Sequence, residues 1–464
     1  MKLLRSALLG SVSLLAAACA VGPDYKAPEP APVVVQHADP VSFIQSDADA
    51  DWWHAFEDAE LDGLVKRALA GNLDLRASVD RVRQARALFD DRRLDQFPRV
   101  TSSGGYNRSY EQVPGFGTKR ANVQSADLGF DAGWEIDLFG HVQRSVEAAD
   151  ADAGTTEAEA RDAQVTVAAE VARNYFELRG AQNRRVVAEH NAQTQRETLK
   201  LTQTRVEVGR GDPTDIESAK ARLAGIEATI PAFTADETRA TQRLAVLVGE
   251  RPGTLDAELA PLATPAKPLV KALPIGDASG FLRRRPDVQA AERRLAAETA
   301  RVGVATADLF PRVTVTGFIG LLSGDVSQLF THGAGAYSVA PAVTWPALDL
   351  GGAHARLRAQ EAKSDESLAN YDQTVLRAIE DLETALDSYH QQQAQIGKLS
   401  DQVAASRRAA ELARIRYQEG TTDFLVLLDA QRTQLQAEDA LTAAETSANT
   451  DIVAIYKALG GSWA

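Results

Sequence analysis

Cysteine is almost absent from this chain of 464 residues. The single one, Cys19, cannot enter an intramolecular disulfide, and its place within the first twenty residues points to processing rather than to a stapled fold. Methionine occurs once, at the start, and aromatic residues make up only 6%. Ala, Gln, Glu, Arg and Leu crowd the second half instead, a usage that favours long helices. Positive charge is in deficit: 50 Lys and Arg stand against 64 Asp and Glu, a formal charge of −14. Such a chain lacks the basic face that neutralises phosphates, which excludes nucleic acid as a partner. Beyond the N-terminal segment no stretch reaches about 18 consecutive apolar residues, so no transmembrane helix is expected. Seven histidines are scattered without metal-ligand spacing, and no phosphate-loop lysine or Gly-x-Ser-x-Gly elbow occurs. We therefore expect no enzyme, no metal and no cofactor.

The N-terminus reads as an export signal over residues 1–18. Lys2 and Arg5 supply the positive region, Leu8 to Ala18 the apolar core, and Ala16-Ala17-Ala18 the small residues before a cut. A signal that ends immediately before the only cysteine resembles the bacterial lipoprotein type, which implies acylation of Cys19. Ala20, rather than Asp, at the next position implies sorting to the outer membrane. Residues 19–50 then form an extended strap, because Pro23, Pro28, Pro30 and Pro32 hold the backbone open and donate no ladder hydrogen bonds.

The rest of the chain is a tandem duplication. Phe97-Pro98-Arg99-Val100-Thr101 recurs as Phe310-Pro311-Arg312-Val313-Thr314, Trp134 is answered by Trp345, and Arg205-Val206-Glu207-Val208-Gly209 by Arg416-Tyr417-Gln418-Glu419-Gly420. The matches keep one order at a spacing of 211 to 213 residues, the mark of a repeat architecture. The halves are taken as residues 51–260 and 261–464. In each, apolar residues first recur at three and four, predicting helix over about residues 61–96 and 281–309. The period then becomes two. Ala126, Leu128, Phe130, Ala132, Trp134, Ile136 and Leu138 alternate with polar or glycine positions, predicting a long strand paired with a weaker run from Arg99 to Tyr110. The second half repeats this with Val313, Val315 and Ile319 on one strand and Val339, Val343 and Trp345 on or beside the next. The β-hairpins are placed at about 99–138 and 312–348.

Long helices follow. No proline lies between His141 and Asp212, nor anywhere after Pro346, so each stretch would extend on the order of 100 Å as unbroken helix. Gly209-Arg210-Gly211-Asp212-Pro213 and Gly420-Thr421-Thr422-Asp423 then read as tight turns into return helices. This gives helical hairpins over about 141–248 and 353–459, with Pro231 kinking or ending the first return. Four strands per chain cannot close a membrane barrel, which starts at eight, and an open edge in lipid leaves backbone groups unsatisfied. Closure must come from oligomerisation, and three chains would supply twelve strands.

Val21-Gly22-Pro23-Asp24-Tyr25 after Cys19, Asp51-Trp52-Trp53 with Phe56, the two Phe-Pro-Arg-Val starts, Leu427-Leu428-Asp429-Ala430-Gln431 and the closing Gly460-Gly461-Ser462-Trp463 resemble the outer-membrane factor family, the TolC-like exit ducts of tripartite efflux pumps, in its OprM/NodT-type lipoprotein branch. The resemblance spans the whole chain. It implies a mainly α protein with membrane β structure: a homotrimer with a twelve-stranded outer-membrane barrel and a periplasmic helical tunnel. The implied partners are a periplasmic adaptor and an inner-membrane pump of the resistance-nodulation-division class, and the implied function is passive conduction of drugs, toxic compounds or metal ions. A type I protein-secretion duct and a pore-less periplasmic coiled-coil scaffold are the alternatives.

The resemblance places a periplasmic gate at the helical-hairpin turns, with Thr214 and Asp215 on one and Leu425 and Asp429 on the other. Four residues apart, Leu425 and Asp429 share a helix face, so around a threefold axis they would form an apolar constriction and an acidic ring that attracts cations. Arg414 or Arg416 is the candidate basic partner. The turns at Gly209, Gly211, Gly420 and Thr421 are candidates for adaptor contact. Trp134 and Trp345 suit the interface of lipid and water, whereas Trp52 and Trp53 are expected to pack a helical domain.

Overall fold

The computed structural model describes residues 20–28, 35–36, 43–44, 51–112, 120–261, 273–275 and 280–461. The signal segment, Cys19, much of the proline strap, the loop at Pro114 to Gly117 and the closing Ser462-Trp463 lie outside them. The chain divides into two units, one drawn from Met1–Glu29, Asp80–Ala158 and Ala290–Gln373, the other from Pro30–Val79, Glu159–Gln289 and Thr374–Ala464. Each takes pieces of both sequence halves.

The first unit holds a four-stranded antiparallel sheet in the order β1-β2-β3-β4, with β1 Arg99–Gln112, β2 Arg120–Ile136, β3 Arg312–Ser323 and β4 Gly335–Thr344. Cross-strand partners share a face. On one face Val100, Tyr106 and Tyr110 of β1 lie with Leu128, Phe130 and Trp134 of β2, Ile319 of β3, and Tyr337, Val339 and Val343 of β4, all exposed. The opposite face carries Thr101, Ser103, Asp127, Asp131, Glu135, Thr314, Thr316 and Ser338. An exposed apolar band of this extent, interrupted on β1 by Arg108, marks a surface made for a non-aqueous or protein neighbour. The two tryptophans stand in matching places at the corner where helix turns into strand: Trp134 Nε1 donates to the Gln96 carbonyl at 3.1 Å, and Trp345 Nε1 to the Leu309 carbonyl at 3.0 Å.

The same unit seats the start of the strap. Val21 N donates to the Phe139 carbonyl at 3.1 Å, and buried Arg144 reaches Asp24 at 2.6 Å and the Val21 carbonyl at 3.3 Å. Gly140 takes a φ of 83°, and a side chain there would collide with Ala20. Tyr25 donates to Glu292 at 3.2 Å. Residues 20–25 are thus fixed to the strand-to-helix corner.

The helices are α1 Ala59–Gly71, α2 Leu73–Leu94, α3 His141–Glu207, α4 Pro213–Glu227, α5 Ile230–Leu247, α6 Pro286–Ala307, α7 Leu350–Glu419 and α8 Phe424–Ala458. Two differ from the periodicity reading. The single helix expected over about 61–96 is broken at Asn72, whose backbone is extended and whose Oδ1 accepts from Asp74 N and Leu75 N, restarting the chain as α2. The helix expected from residue 281 is a four-residue turn, Phe281–Arg284, before Pro286 begins α6. Pro231 sits in the first turn of α5, so α4 and α5 are separate helices.

In the second unit α1 buries Leu61, Leu64, Val65 and Ala68, and Trp52 and Trp53 are buried, Trp52 stacking on Tyr456 at 5.2 Å. A charged network sits beside this core. Arg179, 2% exposed, pairs with Glu60, donates to Gln182 at 2.7 Å and to the Ala260 carbonyl at 3.0 Å, and lies over the Tyr175 ring. Tyr175 in turn donates to the N-cap carboxylate of Asp58 at 2.6 Å, and burial with that bond pushes its phenol up. Elsewhere Arg285 clamps Asp287 and Asp381 and donates to the Ala458 carbonyl at 2.9 Å. Asp162 and Asp451 line the groove beside it, together with Arg377 and Lys457. Burial pushes Asp451 up to about 6.

Two stability predictions follow from these buried charges. Replacing Arg179 with Met strands Glu60 and should cost about 3 kcal/mol, read as a lowered thermal midpoint in detergent. Asp451 is held above its unfolded pKa, so its penalty is full above pH 6 and vanishes below about pH 4. Asp451→Asn should therefore stabilise by about 2 kcal/mol at pH 8 and change nothing near pH 4, as thermal unfolding at the two pH values will show.

Candidate gate at the helical turns

The turns that end α3 and α7 are built alike. Gly209 and Gly420 adopt φ of 69° and 77°, the left-handed position that closes a helix. Gly209 N donates to the Val206 carbonyl at 3.0 Å and Arg210 N to the Arg205 carbonyl at 2.8 Å. In the second turn Gly420 N donates to Tyr417 at 3.1 Å and Thr421 N to Arg416 at 2.9 Å. The next helices start differently. Asp212 caps α4, accepting from both N and Oγ1 of Thr214 at 2.8 Å, which draws its carboxyl down, and Pro213 takes the first helical position. Asp423 leads into α8 without a side-chain cap bond. Gly211 is not left-handed; a side chain there would press on Val206.

Arg205 joins the two turns. Its guanidinium lies over the Tyr417 ring at 4.3 Å, donates to the Tyr417 carbonyl, and reaches the Arg210 carbonyl at 3.2 Å. Tyr417 Oη contacts Thr202 Oγ1 at 3.3 Å, and its ring packs with Ala219, Ala413, Phe424 and Leu427 in a small buried cluster. Behind the cluster Gln431 donates to Thr198 at 2.9 Å. Further along, buried Glu438 accepts from Arg407 at 2.6 Å, from Gln434 and from Asn191; these bonds outweigh its burial and hold its carboxyl below the usual range. Asp215 shifts the other way: burial pushes it up, the charges of Asp212 and Asp423 add to the rise, and Arg205 opposes it.

Leu425 and Asp429 share one groove with Leu412, Arg416 and Thr422. Leu425 is 68% exposed, beside exposed Val426. Within the chain Asp429 pairs with Arg432, one turn along α8, at 2.6 Å. Arg414 is taken by Glu411, which it meets bidentately. The sequence reading missed Arg205 and Arg432. Arg205 had a signal, since it occupies in the first repeat the place of Arg416 in the second; Arg432 had another, three residues beyond Asp429 on a helix.

Among the described residues no group of His, Cys, Asp and Glu is arranged to hold a metal ion, and no helix is long and apolar enough to cross a membrane. Comparison with known proteins is decisive for the family. The model of the outer membrane efflux protein family matches twice, over residues 64–250 and 279–461. The antibiotic efflux pump outer membrane protein ArpC of Pseudomonas putida is 31% identical over 98% of this chain and 95% of its own. Outer membrane protein OprJ of Pseudomonas aeruginosa is 30% identical over 99% of this chain and 95% of its own. The solved outer-membrane channel OprN superposes with a TM-score of 0.93 at 46% identity, covering 96% of this chain and all of that one, 100%. The chain belongs to the outer membrane efflux protein family and is an outer-membrane channel subunit of an efflux system.

Proposed function

We propose that three copies of the chain assemble into a duct with a twelve-stranded barrel in the outer membrane and a periplasmic helical tunnel, and that Cys19 carries the lipid anchor. The single observation that carries this reading is the sheet: four strands, two unpaired edges, and one face of exposed Val, Phe, Tyr and Trp side chains. A barrel of about eight strands or more satisfies such edges in lipid, and four strands do not. Trp134 and Trp345 mark the lipid-water boundary, their rings against the apolar face and their N–H groups tied to helix ends. Acyl chains on Cys19 would leave the protein beside the same corner, because Ala20 lies against Gly140.

The duct conducts small molecules passively. An inner-membrane pump, of the resistance-nodulation-division class, supplies the energy, and a periplasmic adaptor connects the two through the turns at Gly209, Gly211, Gly420 and Thr421. Closure lies with Leu425 and Asp429, repeated around the axis, with Thr214, Asp215 and Arg416 on the flanking turns. Arg205 holds the two turns of one copy together, so opening must either move them as a pair or break its contacts with Tyr417. The work is one of fit and charge, and no residue is assigned a catalytic step.

Replacing Asp429 with Ala should raise single-channel conductance of the reconstituted protein severalfold and reduce its preference for cations, since the ring loses its carboxylates and Arg432 loses its partner. Planar-bilayer recordings in KCl gradients measure both quantities. Unchanged conductance and selectivity would remove Asp429 from the gate, and a purified protein without pore activity would remove the duct.

A further inference from the structure

The two repeats close the end of their return helices with the same contact but with different chemistry. In the first, Asn72 Nδ2 donates to the Leu247 carbonyl at 2.8 Å. In the second, Arg285 donates to the Ala458 carbonyl at 2.9 Å. An offset of 213 residues carries Asn72 to Arg285, and one of 211 carries Leu247 to Ala458, so these are repeat equivalents. The offset of 211 also carries Ala240 to Asp451 and Val246 to Lys457. The first repeat makes this joint with an amide, an alanine and a valine. The fold itself therefore does not require the charges that the second repeat places there.

Those charges line a groove of about 730 Å³ between α3, α7, α8 and the residues that start α6, all within the second unit. Five carboxylates and three cations face it. Arg285 is engaged by Asp287 and Asp381. Lys457 is close enough to draw on Asp162, and Arg377 stands one turn from Glu380 on α7. Asp451 is left over. Among the described residues it has no hydrogen bond or ion pair, and burial alone shifts its carboxyl, with no cation close enough to oppose the rise. The titratable group that feels its charge is the buried Tyr389 phenol, which is itself pushed up and stays neutral.

A half-buried carboxylate without a counterion gains most from a cation that brings its own apolar surface, because the ion is then paired and the groove is emptied of water in one step. Val165, Ala385 and Ala454 supply the apolar wall, and Thr384 and Ser388, four apart on α7, supply hydroxyls on one face. We propose that this groove binds an organic cation, a primary amine on an apolar body, whose ammonium donates to Asp451 and to the hydroxyls of Thr384 and Ser388. The volume is that of a drug-sized ligand. A metal ion fits poorly, since among the described residues no group of His, Cys, Asp and Glu is arranged to hold one. An anion would meet more carboxylates than cations. The site lies within one chain, so it needs neither the trimer nor the gate.

The probe is monodansylcadaverine, a primary amine on a fluorescent aromatic body, and its reference is the same dansyl body on an uncharged pentyl chain. Full-length protein in lipid nanodiscs is titrated and read by fluorescence anisotropy, with empty nanodiscs subtracted. The amine should bind saturably, at about one per chain, and about tenfold or more tightly than the uncharged reference. Asp451→Asn removes an uncompensated charge and should fold; it should weaken the amine about tenfold and leave the reference unchanged. Lowering the pH from about 7.5 to about 5 should weaken binding to the natural protein about tenfold, because a carboxyl pushed up to about 6 is then mostly protonated. The same change should weaken binding to the Asn variant less than about twofold. Glu380→Gln removes a charge from the same groove and should alter the affinity less than about twofold. A loss in Glu380→Gln equal to that in Asp451→Asn reports diffuse attraction to acidic surface and overturns the site. Affinity unchanged by Asp451→Asn overturns it as well, as does the lack of saturable binding above empty nanodiscs up to about 1 mM.

Discussion

A peptide group in hydrocarbon has no water to bond, and this constraint orders the whole molecule. Within each hairpin the ladder satisfies the backbone, and the pairing of β2 with β3 joins the two hairpins into one sheet. The outer sides of β1 and β4 remain. Charge and proline, the usual devices that keep an edge apart from other chains, are confined to Arg99, Arg108 and Glu111 on β1 and Pro341 on β4. Val100, Tyr106 and Tyr110 on one edge strand and Tyr337, Val339 and Val343 on the other are exposed and apolar. In the proposed trimer, burying that face in lipid and pairing those edges would be one requirement met by one assembly.

The corner between strand and helix carries the second requirement, because a band destined for hydrocarbon must stop at a defined height. Here the duplication supplies two indole N–H groups bonded to helix-end carbonyls, and Phe139 stacks on Phe310 at 4.7 Å between the repeats. Arg144 then ties Asp24 and the Val21 carbonyl to the same place. Its side chain is 6% exposed while that of Asp24 is 82% exposed, so the bond anchors the strap chiefly through the buried cation.

Much of this was legible in the sequence because period and proline are local signals. The alternation over residues 125–138 appears as β2, the proline-free stretches appear as α3 and α7, and Pro231 divides the return helices. Asn72 escaped notice because the apolar period runs through it: Leu64, Ala68, Leu75 and Val79 keep helical spacing while the Asn72 side chain caps a new start. At the turns, Gly209, Gly420 and Asp212 could be read as caps, since their roles follow from their own backbone. The contact of Arg205 with Tyr417 could not, because 212 residues separate the partners and only packing of the two helical hairpins brings them together. The pairing of Asp429 with Arg432 is local, three residues apart on α8.

The join of β2 to β3 across the two repeats has more than its ladder. Between β2 and β3 side chains add to the ladder: Glu135 lies 3.4 Å from Arg312 and 3.6 Å from His141, and the Phe318 ring covers Gly129 so closely that a side chain there would collide with it. On the outer strands the offsets of 211 and 213 put Pro346 in the place of Glu135, Arg99 in that of Arg312 and Gly352 in that of His141. Gly105 stands for Phe318 and Ala340 for Gly129. Arg99 is already engaged, by Asp95 at 2.8 Å and Asp91 at 3.0 Å. The ionic and aromatic contacts that back the pairing of β2 with β3 therefore have no repeat equivalents on the outer strands β4 and β1.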